Sequence, residues 1–369
     1  MTLHIDYHIL QTVPPSNLNR DDTGSPKTAV YGGVRRARVS SQAWKRAIRR
    51  DFTSHLNRDQ LGVRTKRALE LLTARIETLV PEVDPATAAA MATATLKKIG
   101  FNLKPKRNAK ESDAEQTEYL VFFSNQQLDR LAALAVEAGE AGPDARAAKA
   151  AFDEKHSIDV ALFGRMVAND ADMNVDAACQ VAHAISTHAV TTEFDYYTAV
   201  DDEAPGDETG AGMIGTIEFN SATLYRYATI NVPSLQANLG DSEATARAVE
   251  AFTRSFISSM PTGKQNTFAN GTLPDAVVVM VRDGRPVNLV GAFEDAVTGD
   301  GGHVVASCRA LASYAKDVEE SFGGTPAASW VVGVGARSEA LSELGEKTTL
   351  DALVDAVGAQ VRSSISEAG

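Results

Sequence analysis

The sequence has few cysteines, few aromatic residues and no long apolar run. It contains two cysteines in 369 residues, Cys179 and Cys308, and aromatic residues make up only 6% of the chain. The wide separation of the cysteines predicts reduced thiols in a cytoplasmic protein, not a disulfide or a metal-binding pair. No run approaches the ~18 consecutive apolar residues of a membrane span, and the alternating N-terminus is unlike a signal peptide. We therefore expect no membrane partner.

The motifs of common enzymes and cofactor-binding proteins are missing as well. Gly263-Lys264-Gln265 lacks the upstream glycine spacing and the Ser/Thr of a phosphate-binding P-loop, and no HExxH metal motif occurs. No serine elbow or Cys/His nucleophile pattern stands out. The sequence thus predicts no catalytic residue, no metal ligand and no cofactor.

Three polar residues alternate along the first predicted strand, which begins at Leu3. His4 and His8 would lie about 13 Å apart on such a strand, so one metal ion could not bind both together with Asp6. We predict instead that these side chains form a polar strand face turned towards solvent or RNA.

The sequence does have a strong separation of charge. The formal net charge is −12, yet residues 1–110 carry a net +11 and the remaining 259 residues a net −23. Residues 35–50, RRARVSSQAWKRAIRR, hold seven Lys or Arg and no acid. An acidic protein that concentrates positive charge in one segment is expected to bind a polyanion there.

The same segment predicts an extended stretch over 34–40 and then an amphipathic helix from Gln42, with Ser41 as its N-cap. The apolar residues of this helix share one face: Trp44, Ala47, Ile48 and Phe52. The cations share the opposite face: Lys45, Arg46, Arg49 and Arg50. The hydroxyls, the amide and the unpaired backbone N–H groups at the helix start favour anions, so the pattern predicts a phosphate-binding surface. The alternative is a solvated basic helix face.

Helical periodicity dominates residues 59–180, where Leu69, Leu72 and Ile76 fall on one face. Strand-like stretches precede and follow this region, and residues 200–215 are acidic and glycine-rich, as in a long loop. This order of strand-like, helical and loop segments along the chain predicts a split α/β domain with a helical insertion and a long loop.

Several segments, in a characteristic order, carry a family resemblance across most of the chain. They are NLNRDD (17–22), YGGVRRARVSSQAWKRAIRR (31–50), DVALFGRM (159–166), AHAISTH (182–188), FDYYTAVDD (194–202), EFNSATLYRYATIN (218–231) and GKQNTFA (263–269). The chain resembles the CasC family, the backbone subunits of the type I-E CRISPR surveillance complex called Cascade.

The resemblance implies an α+β fold shaped like a hand: a modified RRM/ferredoxin-like palm, a helical insertion (the fingers) and a long protruding thumb loop. The palm would cover residues 1–58 and 181–369, the fingers 59–180, and the thumb loop about 191–221. It also implies partners: the CRISPR RNA, further copies of the chain, other Cascade subunits and, through guide pairing, target DNA. Such a subunit binds guide RNA without catalysis and displaces bases at intervals.

The resemblance further implies a set of RNA-binding residues. Those of the palm surface are Arg20, Lys27, Arg38, Ser40, Gln42, Lys45, Arg46 and Arg49. Met166, beside Arg165, matches a residue that wedges between bases, and Tyr196, Tyr197 and Thr198 match thumb positions that lie against a displaced base. Lys264 and Gln265 are additional RNA contacts, and the basic stretch 97–110 is a candidate for contacts with target DNA.

Two alternatives belong to other classes of protein. Related RRM-like CRISPR proteins include RNA endonucleases, and in that case Asp21 or Asp22 would be the first catalytic candidates. The other alternative is a stand-alone RNA-binding protein.

The acidic residues of 201–208 predict that the tip of the thumb loop avoids phosphates and docks on a neighbouring subunit.

Overall fold

The computed structural model describes residues 2–106, 114–199, 213–299 and 301–368. Within these residues the strands are β1 (Leu3–Ser16), β2 (Thr28–Tyr31), β3 (Val34–Val39), β4 (Gly62–Thr65), β5 (Leu103–Lys104), β6 (Gln116–Thr117), β7 (Val121–Ser124), β8 (Cys179–Val181), β9 (Ala184–Ser186), β10 (Glu193–Ala199), β11 (Met213–Asn231), β12 (Ala276–Asp283), β13 (Ala328–Gly333) and β14 (Glu346–Lys347). The helices of the same ranges are α1 (Ser41–Asp51), α2 (Ala68–Leu79), α3 (Pro85–Ile99), α4 (Asn125–Ala138), α5 (Ala145–Asp153), α6 (Ile158–Phe163), α7 (Val232–Leu239), α8 (Ser242–Ser258), α9 (Gln265–Phe268), α10 (Val304–Phe322) and α11 (Leu350–Ala368). Short 3₁₀ helices cover Phe52–Ser54, Arg58–Gln60, Gly139–Ala141, Ala171–Met173, Leu289–Phe293 and Gly335–Leu344.

The first strand lies at the centre of one large sheet. β1 pairs antiparallel with β11 on one side and with β12 on the other. The strand order is β14-β13-β12-β1-β11-β9-β3-β2, and both β8 and β10 also pair with β11. β4 pairs with β7, and β5 with β6, outside this sheet. The mixed α and β composition predicted from the sequence is confirmed.

Helices cover both faces of the central strands. On one face, Ile5, Tyr7 and Ile9 of β1 pack against residues of α1, α8 and α11 in the largest apolar cluster. On the other face, Leu10 joins a cluster that includes residues of α10. Because both faces are covered, every residue from Ile5 to Gln11 of β1 is buried, the polar Asp6, His8 and Gln11 included.

A separate apolar core lies within residues 68–173. It gathers the helical residues that the periodicity singled out, among them Leu69, Leu72 and Ile76, with residues of α3, α4 and α5. Both cysteines are buried and unpaired. None of the helices in the described ranges combines the length and apolar character needed to cross a bilayer.

The polar face predicted for the first strand is wrong for Asp6, which is fully buried. Its carboxylate accepts hydrogen bonds from the hydroxyl of Tyr227 at 3.0 Å and from the backbone N–H of Val287 at 2.9 Å. Arg282 lies 3.2 Å from the same carboxylate. These partners satisfy a buried acid that the alternation of the strand alone would turn towards solvent.

The prediction is wrong for His8 as well, since its imidazole is fully buried beside two tyrosines. The ring stacks on Tyr225 and lies 5.3 Å from the ring of Tyr227, and Nδ1 is 2.9 Å from the hydroxyl of Tyr225. Burial, with a smaller contribution from Arg282, lowers the pKa of His8 from 6.5 to about 3.

The buried imidazole predicts a sensitivity to acid. Between about pH 6.5 and pH 3 the unfolded chain binds a proton at His8 that the folded chain does not bind. The stability from this group is therefore present above pH 6.5 and is lost as the pH falls through that window, by about 1.4 kcal/mol per pH unit. The free energy of unfolding can be measured with urea at pH 7 and at pH 5. Between these two pH values we expect it to fall by about 2 kcal/mol less in His8→Phe than in the wild type. Equal losses in both proteins would contradict this assignment.

Candidate nucleic-acid interface

Helix α1 carries the predicted cations, and its start lies one residue earlier than predicted. Ser40, not Ser41, is the N-cap: its backbone is extended, with φ −67° and ψ 144°, and its Oγ accepts the N–H of Ala43 at 3.3 Å. The N–H of Ser40 donates to Oδ1 of Asn19 at 2.8 Å. The loop after β1 therefore fixes the position where α1 begins.

The residues of α1 point in three directions. Trp44 and Ile48 are buried against the sheet, and Phe52 follows them into the core. The residues of the second direction line one cleft: Gln42, Lys45 and Arg49. Those of the third line another: Ala43, Arg46, Ala47 and Arg50. Ala47 was predicted on the apolar face, but it is only half-buried. Helix α1 thus separates the two clefts and presents cations to both.

The first cleft, which we call the β4 cleft, has a volume of about 520 Å³. Besides the residues of α1, it is lined by Arg64 of β4, Phe122 of β7, Phe163 of α6, and Met166. Lys45 Nζ lies 5.5 Å from the centroid of the Phe163 ring, and the guanidinium of Arg49 lies 5.4 Å from that of Phe122. Aromatic faces thus support the cations while their charge stays available to a ligand in the cleft.

Met166 and Arg165 differ in exposure although they are adjacent. Met166 is 76% exposed at the edge of the β4 cleft, unlike a methionine that fills a core. The side chain of Arg165 is fully buried and donates to the carbonyls of Met173 and Phe152 and to the carboxylate of Asp153. Burial lowers the pKa of Arg165 to about 10. Because these hydrogen bonds are made within the chain, Arg165 positions the loop that presents Met166. Arg165 also lines the β4 cleft, and its role as an RNA ligand stays a prediction.

The second cleft, the loop cleft, has a volume of about 1020 Å³ and lies between α1 and two loops. It brings together cations and one amide that are distant in the sequence: Arg20, Arg46, Arg50, Lys264 and Gln265. Gly263 allows this approach, since a Cβ there would collide with the carbonyl of Leu18. Lys264 has a left-handed backbone with φ 50°, which is uncommon for a lysine.

Asp21, Asp22 and Asp51 also line the loop cleft, and the carboxylates of Asp21 and Asp51 already contact neighbouring residues. Oδ1 of Asp21 accepts the hydroxyl of Thr23 at 2.7 Å and the backbone N–H groups of Thr23 and Ser25 at 2.9 and 3.0 Å; these bonds, that of the hydroxyl most of all, lower the pKa of Asp21. Asp51 lies 3.1 Å from the ring of His55. Within the described ranges, no group of three or more His, Cys, Asp or Glu side chains is placed to hold a metal ion.

Lys27 and Arg38 lie beside the start of α1 and line a small cavity with Asn19. The N–H of Arg38 donates to the carbonyl of Lys27 at 2.9 Å, so the two residues are held together. Arg38 Nε donates to the carbonyl of Thr28 at 3.2 Å, and Nη1 lies 3.0 Å from Nδ1 of His183. Burial and then these cations lower the pKa of His183. Positive charge therefore continues from α1 along the sheet edge.

The residues predicted for the thumb lie on a two-stranded ribbon of β10 and β11. Tyr196 is 64% and Tyr197 36% exposed, and Thr198 is exposed as well. Neighbouring residues on a strand point to opposite faces, so Tyr196 and Thr198 share one face while Tyr197 lies on the other, over Gly215. The acidic tip at 201–208 lies outside the described residues.

Sequence reasoning missed Arg64, a single exposed cation on β4 that faces the β4 cleft. In the sequence Arg64 stands in a short basic run with Lys66 and Arg67, which gives no sign of a binding site, and its place in the cleft follows only from the pairing of β4 with β7. Of the basic stretch 97–110, Lys97 and Lys98 are exposed at the end of α3 and Lys104 pairs with Glu118, while residues 107–110 lie outside the described ranges.

The structure is thus a mixed α and β fold with one large, mostly antiparallel sheet and a cation-lined cleft on each side of α1. The family model described as CT1975-like protein matches residues 5–356. The chain therefore belongs to the CT1975-like family, and its resemblance to the CasC family is confirmed. No curated protein matches the chain.

Two solved structures are similar over almost their whole length. A chain of a "CRISPR RNA-guided surveillance complex, pre-nicking" is 36% identical, with a TM-score of 0.88; the match covers 97% of this chain and 100% of that one. A chain of a "CRISPR RNA-guided surveillance complex" is 31% identical, with a TM-score of 0.75, covering 96% and 99%. At this identity and coverage, the likeness extends well beyond a shared fold.

Proposed function

We propose that the chain is a non-catalytic, guide-RNA-binding backbone subunit of a type I-E Cascade complex. Copies of it assemble along the CRISPR RNA, displace bases at intervals and present the guide for pairing with target DNA in antiviral defence. The observation that carries this proposal is α1, a helix that presents cations to a cleft on each side. Because α1 lies between the two clefts, an extended polyanion can run across this helix from one cleft to the other.

The types of group in the clefts favour binding of the RNA backbone over reading of its sequence. Lysine, forked guanidinium groups and the neutral donor Gln42 all suit phosphate oxygens. In guided complexes the sequence is read by base pairing, so the protein needs only to hold the backbone and leave base edges free. The exposed Met166 and the exposed ribbon residue Tyr196 offer apolar surface for a displaced base.

The sheet order supports the RRM/ferredoxin-like palm as part of the proposal. Four strands of the sheet, β12-β1-β11-β9, correspond to the order 4-1-3-2 when numbered along the chain. Helix α1 follows the first of these strands and α8 the third, and residues of both helices join the same apolar cluster on one face. The separate core of residues 68–173 likewise supports the proposed fingers.

The direct test is to purify the chain from cells that carry a complete CRISPR locus and to analyse what accompanies it. We expect RNA of uniform length, several copies of the chain per RNA, and other Cascade subunits. A monomer that carries no RNA and binds short RNA without cooperativity would contradict the proposal and support a stand-alone RNA-binding protein.

The RNA endonuclease remains the second candidate because Asp21 and Asp22 line the loop cleft beside Arg20 and Lys264. Incubation of the assembled protein with guide and complementary RNA separates the two candidates. A backbone subunit leaves both strands intact. Site-specific fragments that disappear in an Asp22→Ala variant would identify an enzyme and would overturn the non-catalytic proposal.

A further inference from the structure

Two arginines from different parts of the fold flank one aromatic ring in the β4 cleft. In the pairing of β4 with β7, Arg64 lies directly opposite Phe122. Cross-strand partners project to the same face with Cβ atoms about 5 Å apart. The guanidinium of Arg49, from α1, lies 5.4 Å from the centroid of the same Phe122 ring. The sheet pairing and the cation–π contact therefore place both arginines at one wall of the cleft.

Neither arginine has a matching carboxylate in the cleft. Arg49 Nε is buried without a hydrogen-bond partner, and Arg64 makes no hydrogen bond or ion pair within the described ranges. Burial lowers the pKa of Arg49, the positive charges of Arg64 and Arg46 lower it further, and Asp159 opposes them. Asp176 is the one acid among the described residues that line the cleft.

One oxygen of the nearby Asp159 carboxylate is occupied by other donors. Its Oδ1 accepts the backbone N–H of Gly62 at 2.9 Å and the hydroxyl of Ser157 at 2.7 Å, and burial raises its pKa. A buried donor without a partner is costly, and two neighbouring guanidinium groups repel each other. An anion between Arg49 and Arg64 would offset the repulsion between the two guanidinium groups.

We propose that Arg64 is a further RNA-binding residue and that Arg49 and Arg64 hold the same backbone phosphate. This inference rests on the proposed function and names a contact within it. A phosphate has enough acceptor oxygens for two guanidinium forks. Arg49 stands on α1, whereas Arg64 stands on the strand that leads into the helical core of residues 68–173. One phosphate would thus link the basic helix to the helical insertion.

A double-mutant cycle tests the shared phosphate. The wild type, Arg49→Gln, Arg64→Gln and the double variant are titrated with fluorescent single-stranded RNA of mixed sequence at several salt concentrations. We expect each single variant to bind about tenfold more weakly. Because both arginines serve one phosphate, we expect the double variant to bind about ten- to thirtyfold more weakly, well short of the hundredfold of independent contacts.

Two matched variants separate a specific contact from a general loss of charge. Arg67→Gln removes an equal charge three residues away, from a side chain that pairs with Glu70, and should bind RNA like the wild type. Arg64→Lys keeps the charge but loses the guanidinium fork, and should recover only part of the affinity. Thermal unfolding of every variant checks that the fold is intact.

The outcomes distinguish this inference from the function on which it rests. If the wild type binds RNA and Arg64→Gln binds equally well, this inference alone is overturned. A hundredfold loss in the double variant would assign the two arginines to separate phosphates and would overturn the shared contact. If the wild type does not bind RNA at all, the proposed function fails and this inference fails with it.

Discussion

Replacement of Lys45, Arg46 and Arg49 by alanine is expected to weaken binding to single-stranded RNA by about a thousandfold. The three side chains line both clefts, so the triple variant removes phosphate contacts on both sides of α1. A hydrogen bond to a charged group contributes at least about 1.4 kcal/mol, a factor of ten, and three such losses multiply. Each lost phosphate contact also reduces counterion release, so the slope of log K against log salt should become about two units shallower.

A control variant with the same change in net charge tests whether position matters. Its three cations lie outside both clefts and each pairs with an acid: Arg130, Lys149 and Lys316. Their replacement by alanine should leave the affinity and the salt slope close to those of the wild type. If the two triple variants bind RNA equally, the net charge and not the surface of α1 governs binding, and the proposed interface is wrong.

The helix at this interface could be predicted from the sequence because its signals are local. The spacing of Trp44, Ile48 and Phe52 identified the buried face, and the structure differs in moving the N-cap to Ser40 and in leaving Ala47 half-buried. Helix caps depend on backbone angles, and two adjacent serines give the same sequence signal. The division of the cations between two clefts could not be predicted, since the loops around Arg20 and Lys264 are distant in the chain.

The failed predictions concern polar residues whose partners are non-local. Asp6 and His8 were predicted on the exposed face of the first strand because polar and apolar residues alternate there. Their partners Tyr227 and Tyr225 come from β11, more than two hundred residues later in the chain. Arg165 is a different case: its assignment to RNA stays a prediction, although the fold buries its guanidinium, which donates to the carbonyl of Met173. A sequence pattern shows which side chains are polar, but only the fold shows which of them already have partners.

The structure also reveals a buried cation beneath the interface. Arg226 of β11 is fully buried, and its guanidinium lies 3.8 Å from the centroid of the Trp44 ring and 4.7 Å from that of Phe256. Nη1 donates to Oε1 of Gln11 at 2.6 Å, and Nη2 donates to the carbonyl of Phe256. Burial lowers the pKa of Arg226 to about 9, so it stays charged at neutral pH. Within the described ranges no carboxylate forms an ion pair with it, and the aromatic rings supply part of its stabilisation.

Replacement of Trp44 by alanine is therefore expected to destabilise the fold by about 4 kcal/mol. Loss of a buried aromatic side chain costs about 3 to 5 kcal/mol, and here it also removes the ring above a buried cation. Trp44→Phe keeps a ring and should cost about 1.5 kcal/mol. Urea unfolding measures both losses, and RNA titration of the folded fraction should show weaker binding because α1 loses its main contact with the sheet. A loss below about 1 kcal/mol for Trp44→Ala would mean that Ile48 and Phe52 hold α1 in place without the contact between Trp44 and Arg226.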